Sequence, residues 1–77
     1  MQIIYSKDAA KTLRLLNEPT KSRIKNAINR LPGGDVKKLK GFENAYRLRV
    51  GNLRILFEKQ GDIICVDEID SRGNIYK

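Results

Sequence analysis

The sequence predicts an α+β domain of order β-α-α-β-β-β, with two N-terminal helices packed on one face of a small antiparallel sheet. Three observations carry this expectation. Residues 46–50 (Tyr-Arg-Leu-Arg-Val) and 53–57 (Leu-Arg-Ile-Leu-Phe) are period-2 runs on either side of Gly51-Asn52, the pattern of a two-residue hairpin. Ile24, Ala27, Ile28 and Leu31 recur at i, i+3, i+4 and i+7, the stripe by which a helix packs on a core. A β-branched and aromatic run, residues 2–5, precedes the helical region and reads as a first strand.

Ser6 can cap the first helix, and Asp8 in its first turn complements the helix dipole. Ala9, Leu13 and Leu16 then fall at helical spacing. Asn17-Glu18-Pro19 breaks this helix and starts the next, because proline suits a first helical position. The second helix turns Lys21, Arg23, Lys25 and Arg30 away from the core stripe and ends at Pro32-Gly33-Gly34. A basic loop over residues 36–41 leads into the hairpin.

The two-residue loop sets the hairpin register: Val50 faces Leu53, Arg49 faces Arg54, Leu48 faces Ile55, Arg47 faces Leu56, and Tyr46 faces Phe57. Tyr46, Leu48, Val50, Leu53, Ile55 and Phe57 then share the core face, while Arg47, Arg49 and Arg54 share the other. Residues 58–62 are a turn and residues 63–70 the last strand. If Glu58 pairs with Ile63, Phe57 meets Ile64, Ile55 meets Val66 and Arg54 meets Asp67. The tail, residues 71–77, leaves that strand on the arginine side.

Seventy-seven residues make one domain, with no repeat, linker or low-complexity stretch. A core this small leaves thin stability, and the one cysteine allows no internal disulfide, so a stabilising partner makes physical sense. No apolar run reaches the roughly 20 residues that span a bilayer, and no secretory signal pattern is present, which predicts a cytoplasmic protein. Sixteen Lys and Arg against nine Asp and Glu give a formal charge of +7 and a pI near 9.9. That excess favours a polyanionic partner, nucleic acid or an acidic polypeptide before a membrane. With no histidine, a histidine-pair ribonuclease and a zinc hydrolase are excluded, and no metal or cofactor is expected.

Like charges opposite each other on a sheet cost some tenths of a kcal/mol, which a fold tolerates where an anion sits between them. The plainer readings are a solvated basic face, or an ion pair that occupies Arg54. Cys65 reads as a core or near-core residue, Tyr5, Tyr46 and Phe57 as core aromatics, and Phe42 as either a core plug or an exposed stacking residue.

Lys38-Leu39-Lys40-Gly41, the run from Tyr46 to Phe57, and Arg72 with Tyr76 together resemble the RelE/ParE superfamily of bacterial toxins. The resemblance covers essentially the whole chain, and residues 38–57 are its most specific part. It implies a toxin of a type II toxin–antitoxin system, held inactive by a cognate antitoxin with an acidic segment. Members of the RelE branch are metal-independent endoribonucleases that cleave mRNA on the ribosome and inhibit translation; those of the ParE branch inhibit DNA gyrase without chemistry. By the same resemblance Arg49, Arg54 and Tyr76 are the catalytic candidates: Arg54 clamps the scissile phosphate, Arg49 stabilises developing charge, and Tyr76 stacks on a base or passes a proton. Lys38, Lys40, Arg47 and Arg72 are the further RNA-binding candidates.

The match departs from the family in the stretch before Tyr76, which carries one cation, Arg72, and begins with Asp70. Ribosome-dependent mRNA cleavage is the leading expectation. Gyrase inhibition and an inactive RNA-binding relative are the alternatives.

Overall fold

A computed structural model of the chain describes residues 1–31 and 33–70. Strand β1 (Gln2–Tyr5) is followed by helices α1 (Lys7–Leu15) and α2 (Glu18–Asn29), and then by β2 (Asp35–Lys38), β3 (Ala45–Val50), β4 (Leu53–Gln60) and β5 (Ile63–Asp70). The sheet order is β1-β5-β4-β3-β2. The last four strands meander antiparallel, and β1 runs parallel to β5, so the sheet is mixed. The α+β class and the element order match expectation, with β2 added as a short edge strand where a basic loop was expected. Its Val36 lies opposite Leu48 on the core face, while Lys37 and Lys38 guard the edge against further strand pairing.

Both helices begin on side-chain caps. The Ser6 hydroxyl accepts from the Ala9 amide at 3.0 Å, and Asn17 Oδ1 accepts from the Thr20 amide at 2.9 Å. Ala9, Leu13, Ile24, Ile28 and Leu31 pack from the helices onto Leu48, Val50, Leu53, Ile55, Phe57, Ile64, Val66 and Ile69 of the sheet. Shortening Ile28 or Ile55, both fully buried, to alanine costs about 2–5 kcal/mol. Tyr46 and Phe57 stack with ring centroids 5.4 Å apart, and Tyr5 is half-buried beside the core. The helices cover only this face, and among the described residues no element covers the opposite, open face of the sheet.

The β3–β4 register is the one expected, pair for pair, from Tyr46↔Phe57 to Val50↔Leu53. Gly51 has φ +59 and Asn52 a negative φ, the pattern of a turn with glycine at its first central position. The β4–β5 register differs from expectation. Gly61, with φ +58, makes the same kind of two-residue turn with Asp62, so Gln60 pairs with Ile63 and Glu58 with Cys65. The expected five-residue turn forfeits pairs that this shorter one keeps.

A bulge then shifts the register between Leu56 and Phe57: Phe57 pairs with Val66, but Leu56 pairs with Glu68. Val66 and Ile69 stand three apart, and only an extra residue between them lets both reach the core, where they are 0% and 6% exposed. Asp67 is that residue. Its carbonyl accepts from the Ser6 hydroxyl at 2.7 Å, which ties the bulge to the α1 cap. Arg54 consequently meets Asp70, not Asp67. Cys65 is half-buried on the open face opposite Glu58 rather than in the core.

Candidate nucleic-acid interface

The open face is divided by charge. At one end β2, β3 and β4 bring together Lys37, Lys38, Leu39, Lys40, Arg47 and Arg54 around a pocket of about 280 Å³. Strand pairing explains the gathering: Lys37 lies opposite Arg47, and Arg47 opposite Leu56, two residues along β4 from Arg54. The chain beyond β2 is fixed by the Leu39 amide, which donates to the Ala45 carbonyl at 3.0 Å and holds Lys38 and Lys40 near the hairpin.

The Arg47 side chain is only 14% exposed, and its Nη2 stands 3.5 Å from Asp35 Oδ1. That contact is long for a charge-assisted hydrogen bond, and among the described residues Arg47 Nε is buried with no hydrogen-bond partner. A buried donor left unmade costs about 1–3 kcal/mol. Arg54 is half-buried beside it, with Asp70 as its neighbour on β5.

Arg49 is exposed and leaves the pocket. It lies between Asp35 and Arg54 in register, yet it lines a second groove of about 350 Å³ with Arg23, Asn26 and Arg30 of the α2 region. Of the residues singled out in the sequence, the structure therefore gathers Lys38, Lys40, Arg47 and Arg54 and separates Arg49 from them. Arg72 and Tyr76 lie outside the described residues.

Comparison with known proteins adds identity to this geometry. No family model matches the chain. It is 36% identical to the toxin RelE3 of Methanocaldococcus jannaschii, in an alignment covering 99% of this chain and 96% of the relative. The chain belongs to the RelE toxin family. Its fold superposes on a RelB–RelE antitoxin–toxin complex from Methanococcus jannaschii with a TM-score of 0.78 and 34% identity, over 95% of this chain and 94% of that one. The archaeal RelE–RelB complex from Pyrococcus horikoshii gives the same TM-score at 21% identity, covering 95% and 96% of the two chains. The intact RelBE complex of E. coli gives 0.74 at 14%, covering 95% and 98%. These last two likenesses are likenesses of fold.

This RelE-family chain also carries an acidic end on the same face. Glu43, Glu58, Asp67 and Glu68 surround a groove of about 620 Å³ with Leu39, Phe42, Ala45 and Leu56. Desolvation, a hydrogen bond with Glu58 and the charges of Glu58 and Glu68 raise the Asp67 pKa to about 6. The sequence reading missed this group because the bulge, not simple alternation, turns Asp67 and Glu68 toward one groove. The three-residue spacing of Val66 and Ile69 was the available signal. It also left out Lys37, which joins the basic pocket only because residues 35–38 form a strand. Among the described residues, no helix is long and apolar enough to cross a membrane.

Proposed function

We propose that this RelE-type toxin of a type II toxin–antitoxin system is a ribosome-dependent endoribonuclease that cuts mRNA and thereby inhibits translation. The observation that carries the reading is the pocket that gathers Lys37, Lys38, Lys40, Arg47 and Arg54 from three neighbouring strands and the loop after β2. RNA cleavage of this type moves the 2′-hydroxyl oxygen onto the adjacent phosphorus and expels the 5′-oxygen, leaving a cyclic phosphate and a 5′-hydroxyl. The transition state gathers negative charge on the phosphoryl oxygens, and fixed cations stabilise that charge more than the ground state's. Arg54 supplies a planar bidentate fork for the scissile phosphate, and Arg47 a second guanidinium already held in position.

Lys38 and Lys40 neutralise flanking phosphates. Arginine stays protonated throughout, so Arg47 and Arg54 bind and stabilise without shuttling protons. Proton transfer or base stacking is assigned to Tyr76, with Arg72 as a further phosphate contact and Arg49 as a contact to RNA at the second groove. The partner that holds the toxin inactive is a cognate antitoxin, as RelB partners RelE in the related complexes. An acidic segment of it suits the basic pocket.

Adding the purified protein to a translation extract and mapping mRNA 5′ ends tests the reading. Cuts inside ribosome-bound codons are expected, and they disappear with Arg54→Ala. Intact mRNA together with blocked gyrase supercoiling would replace this reading with a ParE-like one.

A further inference from the structure

The basic end of the open face is accounted for by RNA; the acidic end is not. Four of the nine acidic residues, Glu43, Glu58, Asp67 and Glu68, rim one groove in a chain whose formal charge is +7, and among the described residues no Lys or Arg lines it. Carboxylates that merely kept a basic protein soluble would be scattered and hydrated. Here Asp67 is partly desolvated and shares a hydrogen bond with Glu58, so two acids are held together at the groove. Beside them Phe42 is 63% exposed, and Leu39 and Leu56 supply further apolar lining. Phe42, Leu39, Ala45 and Leu56 together give the groove an apolar wall beside its carboxylates, the mix of apolar and polar groups found at interfaces. Farther along the same face, exposed Ile4 lies opposite Cys65, itself opposite Glu58, so the apolar strip continues toward β1.

The groove repels RNA by its charge. Among the described residues no three His, Cys, Asp or Glu side chains are grouped closely enough to hold a metal ion. The cation it suits is therefore a lysine or arginine of a polypeptide, next to an apolar side chain that covers Phe42. Leu39 lines both this groove and the basic pocket, so the two are contiguous and one segment can cross both.

Resting on the reading that a cognate antitoxin is the partner, we propose that the groove around Phe42 docks a segment of that antitoxin carrying a Lys or Arg beside an apolar anchor, contiguous with the acidic segment that covers the basic pocket. The antitoxin strap thus changes sign along its length, and the acidic groove fixes its direction and register on the sheet.

The test is an NMR titration of the full ¹⁵N-labelled chain with two synthetic nonapeptides that differ only in charge: alternating leucine and lysine, and alternating leucine and glutamate. The lysine peptide is expected to shift Phe42, Asn44, Glu58, Asp67 and Glu68, and the glutamate peptide to shift the Lys37–Arg54 pocket instead. Glu58→Gln combined with Asp67→Asn should weaken the lysine peptide about 10-fold, and Phe42→Ala, an exposed change that leaves the core intact, should weaken it similarly. Failure of the lysine peptide to shift the groove in wild type, or equal binding by both variants, overturns the proposal. Two other outcomes also overturn it by naming another occupant: groove signals that move on dilution without peptide name a second copy, and groove signals that move on deleting residues 71–77 name the chain's own tail. Loss of mRNA cleavage with peptide docking intact would strike the nuclease reading and leave this one standing.

Discussion

The two ends of the open sheet face share strands β3 and β4 yet hold their charges differently. At the basic end, cations from β2, β3 and β4 stand side by side, and among the described residues the buried Arg47 Nε has no partner. At the acidic end, like charges also meet, but Asp67 relieves the repulsion by holding its proton longer, up to about pH 6. Arginine and lysine have no such outlet near neutrality. The basic pocket gathers cations that suit an anionic partner, whereas the acidic groove adjusts its charge to its surroundings. One end is suited to a permanent polyanion, the other to a partner whose cation tips a proton equilibrium.

The difference can be broken most severely at Arg54. Replacing it with alanine should lower mRNA cleavage about 100-fold or more, as removal of a transition-state donor does, while circular dichroism and Tm stay near wild type. A comparable loss of Tm would mean that Arg54 serves the fold instead.

Arg47→Met sharpens the comparison by separating stability from binding. The variant removes the unpartnered buried donor and keeps most of the apolar stem, so unfolding free energy in urea should rise by about 1 kcal/mol. Affinity for a short single-stranded RNA should fall about 10-fold, because one phosphate contact is lost. A variant that is both less stable and equally tight for RNA would show that the Asp35 contact, not RNA, explains Arg47.

Asp67→Asn gives the smallest and most pH-dependent effect. The folded chain raises the Asp67 pKa above its ordinary value of 3.8, so its ionised form is disfavoured by folding; the associated stability is present below pH 4 and lost as pH rises through about 6. The facing groups are Glu58 on β4, Glu68 on β5 and Glu43 across the groove, all acidic. Asparagine should stabilise the protein by about 1 kcal/mol at pH 7, after allowing for solvent screening of a partly exposed site, and by nothing measurable at pH 4. Urea unfolding at the two pH values checks it. A larger gain at pH 4 would reverse the sign of the argument.

Much of this was legible in the sequence. Gly51-Asn52 between alternating runs specified five residue pairs and the face each side chain takes, because a two-residue loop leaves no freedom in register. The cap at Ser6 and the stripe from Ile24 to Leu31 were local features and equally readable. The second hairpin was not read correctly. Polar residues 58–60 have the composition of a loop, and only cross-strand pairing to residues 63–65 makes them strand. The bulge at Asp67 depends on that pairing in turn, so the Glu58–Asp67 contact was hidden twice over. Arg49 was assigned to the same face as Arg54 correctly, but alternation says nothing about where a long side chain carries its charge.

The central claim is that Arg47 and Arg54 act together on an RNA phosphodiester backbone. The slope of log affinity for a single-stranded oligoribonucleotide against log salt measures it directly, since each neutralised phosphate contributes about −0.7. The account predicts that the Arg47→Met, Arg54→Ala double variant flattens the slope by about 1.4 relative to wild type, two contacts' worth. An unchanged slope, with RNA bound as tightly as before, would contradict it.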